Sequence, residues 1–223
     1  MNNIQDLVRN FKDHVSKINS EDPEFFESVA KLCESYGYPL SNVAVFNKNL
    51  LKIKDLKYIL VADNPGMTEQ AQECYLVGKA GKMARNFFAN SGLANDFDEE
   101  VAVLNKTFIH TKSTVDLKKL KNFNDLFLDS QVFMANLAID MLEASECELW
   151  ITGCSELKEK GLFAPYLKTL KERCAKDTEL KERIFFYPHF SFGNFSKNLN
   201  SVRATHPEMS VKEALKAASL NIF

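Results

Sequence analysis

The stretch KYILVADNPG, Lys57 to Gly66, decides how the rest of the chain is read. The apolar run from Tyr58 to Ala62 is too short for a helix that buries one face, and it fits a strand covered on both faces. It stops on Asp63, Asn64, Pro65 and Gly66, which favour a turn through side chains that bond nearby backbone, a fixed φ and a residue without a Cβ. A buried strand ending in such a turn is the unit of parallel α/β sheets. It puts Asp63 and Asn64 beyond a strand's carboxyl end, where those sheets bind ligands.

Read towards the C-terminus, the same alternation repeats. Helical spacing resumes from Gly78 to Phe88, and VAVLN, Val101 to Asn105, is a second short apolar run. A long helix over Leu126 to Ala144 leads to ELWIT, Glu148 to Thr152, and a turn at Gly153. A helix over 164–176 precedes RIFFY, Arg183 to Tyr187, and a capping box of Ser210 and Glu213 announces the last helix. Read towards the N-terminus, Ile4, Leu7, Val8, Phe11, Val15 and Ile18 recur at helical spacing. A second helix is expected from Pro23, capped by Asp22 and ended by Gly37. The expected fold is α/β, a three-layer sandwich around a central, mostly parallel four-stranded sheet. Residues 1–40 are expected as a helical extension packed on an α/β domain of residues 41–223, a single globular unit, with Val115 to Asn124 an exposed insertion. Ligand chemistry is sought just past each strand, at Asp63 to Gly66, Asn105, Gly153 and His189.

Composition narrows the class. At 223 residues and 45% hydrophobic content the chain can bury a sizeable core. A net charge of -2 and a pI near 6.1 exclude a protein that wraps nucleic acid by overall charge, so any DNA contact uses a local patch. Cys33, Cys74, Cys147, Cys154 and Cys174 form no C-x-x-C pair, and neither a metal nor an iron-sulfur cofactor is expected. The N-terminus has mixed charge rather than a basic then apolar pattern, and no apolar run approaches the roughly 18 residues of a membrane span. The expectation is a soluble, cytoplasmic monomer with free thiols.

The turn Ala62-Asp63-Asn64-Pro65-Gly66, followed by Val77-Gly78-Lys79-Ala80-Gly81 at the start of a helix, resembles the first motif of the uracil-DNA glycosylase superfamily, a G-x-x-P-G type turn and a V-G-x-A-G. The strand ending VLNKT is similar to the family strand that delivers an asparagine to the base. PHFSFGNFSKN is similar to its H-P-S-P motif, with Phe190 and Phe192 in place of both prolines. The likeness spans roughly residues 57 to 196 and rests on motif order. It implies a metal-independent hydrolase that cuts the N-glycosidic bond of uracil or a related deaminated base in DNA, for which such a base must first be extruded from the stack.

The resemblance also implies roles. A neutral His189 donates to the pyrimidine O2, and Asn105 reads the base edge by accepting from N3-H and donating to O4. Asn64, matching the G-x-N-P-G branch, ranks first for holding the water, and Asp63, matching the acid of the G-E-x-P-G branch, ranks second. Tyr75 is the expected stacker on the base, with Leu76 in its place if the alignment shifts by one residue. Gly66 stands where the most uracil-selective branch has a bulky tyrosine, so exclusion of thymine by a clash is not expected. Ala62 replaces the first glycine of the motif and crowds the approach of the base. Phe192, Asn194 and Phe195 are candidates to fill the gap in the duplex, and Ser191, Ser196 and Lys197 to hold phosphates. Lys79, Lys82, Arg85, Lys112, Lys118, Lys119 and Lys121 would form the basic patch.

Each residue also has an ordinary explanation. Asn64-Pro65-Gly66 makes a good turn after any strand, Asn105 can bond a loop, and His189 can be structural. His14, His110 and His206 read as surface or capping residues, with His110 in reserve for the site. Phe87, Phe88, Phe185 and Phe186 read as core. The alternative function, favoured by the altered H-F-S-F motif and Ala62, is a catalytically silent member of the fold that binds nucleic acid or a protein.

Overall fold

The structure is a computed structural model that describes residues 3–21, 24, 27, 31, 43–120 and 125–223, with no side-chain description for Leu120 and Phe192. The second helix expected from Pro23 to Gly37 falls mostly outside the described residues, as do Cys33 and Lys121. Among the described residues, no helix is long and apolar enough to cross a membrane.

Helix α1 (Ile4–Glu21) leads, after a 3-10 turn at Lys48–Lys52, to strand β1 (Tyr58–Ala62). There follow α2 (Met67–Gln72), α3 (Lys79–Asn90), α4 (Phe97–Glu100), β2 (Val101–Asn105), α5 (Thr114–Leu120) and α6 (Asp125–Glu143). The chain continues through β3 (Glu148–Thr152), α7 (Ala164–Cys174), α8 (Thr178–Glu182), β4 (Ile184–Tyr187), α9 (Asn194–Thr205) and α10 (Val211–Ala218). The four strands form one sheet in the order β2-β1-β3-β4, and every pair is parallel. β1 lies in the interior of the sheet, which is why its residues are apolar on both faces.

Alternation along the strands sorts side chains into two cores. Ile59, Val61, Ala102, Leu104, Leu149, Ile151, Ile184 and Phe186 face α6 and α7 in a largely aliphatic cluster. Leu7, Val8, Phe11 and Val15 of α1 belong to that same cluster, so α1 shares the core of the α/β unit. On the opposite face Tyr58, Trp150, Phe185 and Tyr187 meet Phe88 of α3 and Phe195 of α9 in an aromatic core. Ring centroids there lie 5.1 Å apart for Tyr58–Trp150, Phe88–Trp150 and Trp150–Tyr187. Phe88, Phe185 and Phe186 are buried as expected, and Phe87 is only partly so.

Helices α2, α5 and α9 occupy stretches expected as loop. The stretch from Val115 was expected as an exposed insertion, but Thr114–Leu120 is helical and Leu117 is fully buried in the aliphatic core. The capping box at α10 forms as expected: Ser210 accepts from the Glu213 amide, and the Glu213 carboxylate accepts from the Ser210 amide at 2.8 Å.

Candidate active site

Beyond the carboxyl ends of the strands lies an open cleft of about 560 Å³, within the range of small-molecule sites. Asp63, Asn64, Gly66, Glu69, Leu76 and His189 line it, with Thr111 to Thr114 and Ser155 completing the rim. Ala62, Asp63, Asn64 and Gly66, at the end of the stretch read first as a strand and a turn, thus supply its floor.

Asp63 is held from below. Its Oδ1 accepts from Nζ of Lys106 at 2.6 Å, and the Lys106 side chain is fully buried. That ammonium also donates to the carbonyls of Thr152 at 2.5 Å and Gly153 at 3.3 Å, and it lies 5.0 Å from the centroid of the Phe163 ring. Three acceptors match the three donors of an ammonium group, which is what burial of a lysine demands. Gly153 has φ +75°, and a Cβ there would lie 2.7 Å from Asp63 Oδ1. The absence of a side chain is therefore what lets the carboxylate lie across the end of β3.

His189 is fixed by its neighbour. Its Nδ1 accepts from the Ser191 amide at 3.1 Å and lies 2.7 Å from the Ser191 hydroxyl oxygen. An Nδ1 that accepts an N–H bond carries no proton, so the ring is the neutral Nε2–H tautomer. Burial lowers its pKa below the ordinary 6.5; Asp63 opposes that shift and the Lys106 charge adds to it. Ser191, expected to hold a phosphate, instead orients this imidazole.

Asn64 is committed elsewhere. Its Nδ2 donates to Thr111 Oγ1 at 3.0 Å and to the Pro65 carbonyl at 3.2 Å, and its Oδ1 accepts from Thr114 Oγ1 at 3.0 Å. The amide ranked first for holding a water thus ties the β1 turn to the start of α5. The reserve histidine, His110, is buried beneath the same turn: its Nδ1 lies 2.9 Å from the Pro65 carbonyl, and burial lowers its pKa.

The expected stacker needs correction. Tyr75 is fully buried in the aromatic core, its hydroxyl donates to the Val45 carbonyl, and it does not line the cleft. Leu76 lines it instead, with φ +54°, a left-handed conformation costly for a branched residue. Its amide is held by Glu69 Oε1, and Glu69 Oε2 accepts from the Gly66 amide at 2.7 Å. Burial raises the pKa of Glu69, although backbone bonds from Gly66, Leu76 and Val77 oppose the rise. The Leu76 carbonyl oxygen would lie 1.5 Å from a Cβ on Gly81, so the V-G-x-A-G glycine is there for close packing. A Cβ on Gly66 would meet nothing nearer than 3.8 Å, which leaves the floor open at that point.

Asn105 is buried, and neither end of its amide finds a hydrogen-bond partner among the described residues, at a cost of about 1–3 kcal/mol for each stranded group. Its register partner on β1, Ala62, lines the cleft, whereas Asn105 does not.

Of the expected DNA contacts, Lys79 and Asn194 are exposed on the cleft rim, and Lys112 joins them. Ser196 and Lys197 are exposed on α9 outside the cleft, and the Phe192 side chain lies outside the described residues. Phe195 is buried, its ring centroid 4.2 Å from that of Phe190, and is core rather than a wedge. Arg85 pairs with Asp98 at 2.7 Å, Lys118 with Glu156 at 2.8 Å and Lys119 with Asp116 at 3.1 Å, so these three charges are already balanced.

Lys106, Glu69, Thr111 and Ser155 were missed. A signal existed for Lys106: it is a lone charge inside the run from Val101 to Thr111, every residue of which is buried. Compared with known proteins, the sequence matches no family model and no curated protein.

Proposed function

We propose that this chain is a DNA glycosylase of the uracil-DNA glycosylase type, which hydrolyses the N-glycosidic bond of uracil or a related deaminated base. The observation that carries this reading is the His189 ring, a neutral imidazole whose tautomer is set by the Ser191 amide, at a cleft that also holds the Asp63 carboxylate. As the bond from sugar C1′ to the base breaks, its electron pair moves onto the base, and Nε2–H of His189 donates to the oxygen where negative charge collects. Asp63, pinned through Oδ1, uses Oδ2 to orient a water and accept its proton as the water oxygen bonds to C1′. The products are an abasic sugar and the free base. Asp63 takes this role over Asn64, because the Asn64 amide is already bonded at both ends. Leu76 forms the apolar wall beside the base, whereas Asn105, buried and outside the cleft lining, takes no part in reading its edge. Lys79 and Asn194 meet the backbone of DNA that carries the deaminated base. The parallel α/β sheet with its cleft at the strand ends also supports the reading.

The test is strand scission by alkali after incubation with oligonucleotides carrying uracil in single strands, uracil opposite guanine, or hypoxanthine. Wild type is expected to cut at least one of these, and His189→Ala and Asp63→Asn to lower the rate by about 10²-fold or more. Absence of scission on all three, with oligonucleotide binding retained, would overturn the reading in favour of a silent binding protein.

A further inference from the structure

The buried lysine at the end of β2 does more than brace the strand ends. Its amide donates to the carbonyls of Ala62 at 2.9 Å and Asp63 at 3.0 Å, so its backbone already joins β2 to the β1 turn. The ammonium then reaches across to the end of β3, where two carbonyls and the Asp63 carboxylate take all three of its protons. A buried charge costs several kcal/mol to desolvate, and an uncharged side chain would brace these ends more cheaply. What an apolar residue cannot supply is a fixed positive charge directly beneath the carboxylate at the cleft.

We infer that Lys106 is a positioning residue, whose buried ammonium fixes the Asp63 carboxylate at the cleft and sets the electrostatic field that His189 meets. The inference rests on the proposed glycosylase reading for its reaction, whereas the hold of Lys106 on Asp63 stands on the geometry of its bonds. Asp63 from the β1 end and Lys106 from the β2 end are the charges that act on His189. Glu69, Lys79 and Lys112 are the further ionisable groups on the cleft. Lys106 opposes protonation of the imidazole and Asp63 favours it. Loss of the lysine therefore lets His189 take up a proton at higher pH and frees the carboxylate to turn away.

Two measurements test this in the full chain. In the first, histidine ring signals are followed by NMR against pH, with His189 assigned from His189→Gln. Lys106→Met is expected to raise the His189 midpoint by about half a pH unit or more. The same comparison is made in the Asp63→Asn background, where no buried carboxylate is stranded, in case the single variant does not fold. An unchanged midpoint in that background overturns the inference. In the second, single-turnover excision is compared at about pH 8, above the ordinary imidazole range so that the His189 midpoint does not enter, across Lys106→Met, Asp63→Asn and the double variant. If Lys106 acts through Asp63, the double variant is as slow as Asp63→Asn within about threefold, whereas multiplied effects show an independent brace and overturn the inference. A midpoint that moves in a protein that cuts no substrate overturns the glycosylase reading alone and leaves the role of Lys106 standing.

Discussion

The wall of the cleft that follows β1 is held by distant parts of the chain, whereas the wall that follows β4 holds itself. Asp63 is fixed by Lys106, Asn64 by Thr111 and Thr114, and the Pro65 carbonyl by His110, while Glu69, three residues on, adds a local bond to the Gly66 amide. On the other side, the His189 ring is held by Ser191, two residues on, in a short 3-10 turn that ends at Gly193 with φ +69°. A wall tied to the stretch from Lys106 to Thr114 cannot change without costing the fold stability. A wall tied to itself can change with the fold intact, so the two sides should separate stability from activity.

The strongest challenge to that contrast is Gly81→Ala on the first wall. The new methyl would sit 1.5 Å from the Leu76 carbonyl oxygen, which cannot give way while Glu69 holds the Leu76 amide and Arg85 donates to that carbonyl at 3.0 Å. The expected cost is about 3 kcal/mol, the upper end of overpacking, and a melting temperature lower by about 6–12 °C. A melt within about 2 °C of wild type would show the wall to be pliable. Next in size is Asn64→Ala, which removes the bonds to Thr111 and Thr114 that tie the β1 turn to α5 and should cost about 2 kcal/mol. Excision measured well below the melting range should fall less than about tenfold, because the proposed mechanism gives the water to Asp63. A loss of about a hundredfold with an unchanged melt would return the water to Asn64 and reverse the assignment.

The same contrast explains what could be read from sequence. All four strands were legible, because a short apolar run closed by turn residues has few other readings, and β4 differs from the expected RIFFY only in starting at Ile184. Strand ends then led to Asp63, Gly66 and His189 at the cleft. The ties were not legible, since each joins residues far apart in the chain: Lys106 to Asp63, and Asn64 to Thr111. Periodicity carries no trace of such pairs. Tyr75 and Leu76 show the limit most sharply. Adjacent residues in an irregular loop point to different places, and the left-handed φ at Leu76 that decides which one meets the cleft is imposed by Glu69 and Gly81 rather than by local preference. Helix α9 went unread because its apolar positions, Phe195 and Leu199, sit among polar residues that resemble a loop.

A smaller effect comes from protons. His110 on the first wall and His189 on the second both have folded pKa values below the ordinary 6.5, burial being the main cause in each. The folded chain therefore binds fewer protons than the unfolded chain as pH falls through this range. The stability these histidines contribute is fully present above pH 6.5 and is lost as pH falls through the lower folded values. Denaturant midpoints measured from pH 7.5 to 5 should fall accordingly, and His189→Gln should flatten part of that slope. A slope unchanged in that variant would mean the imidazole gains no protection from burial.

The smallest expected change sharpens the contrast most. Ser191→Ala removes the hydroxyl 2.7 Å from His189 Nδ1 but keeps the amide that donates to it at 3.1 Å. If the backbone turn sets the tautomer, the ring keeps its Nε2–H and loses only one neutral hydrogen bond, worth about 1 kcal/mol. Excision should then fall about fivefold while the melting temperature stays within about 2 °C of wild type, the reverse of the pattern expected for Gly81→Ala. A loss as deep as that of His189→Ala would mean that the hydroxyl, not the turn, orients the imidazole. The β4 wall would then depend on a single side chain, and its backbone would have no part in preparing the donor.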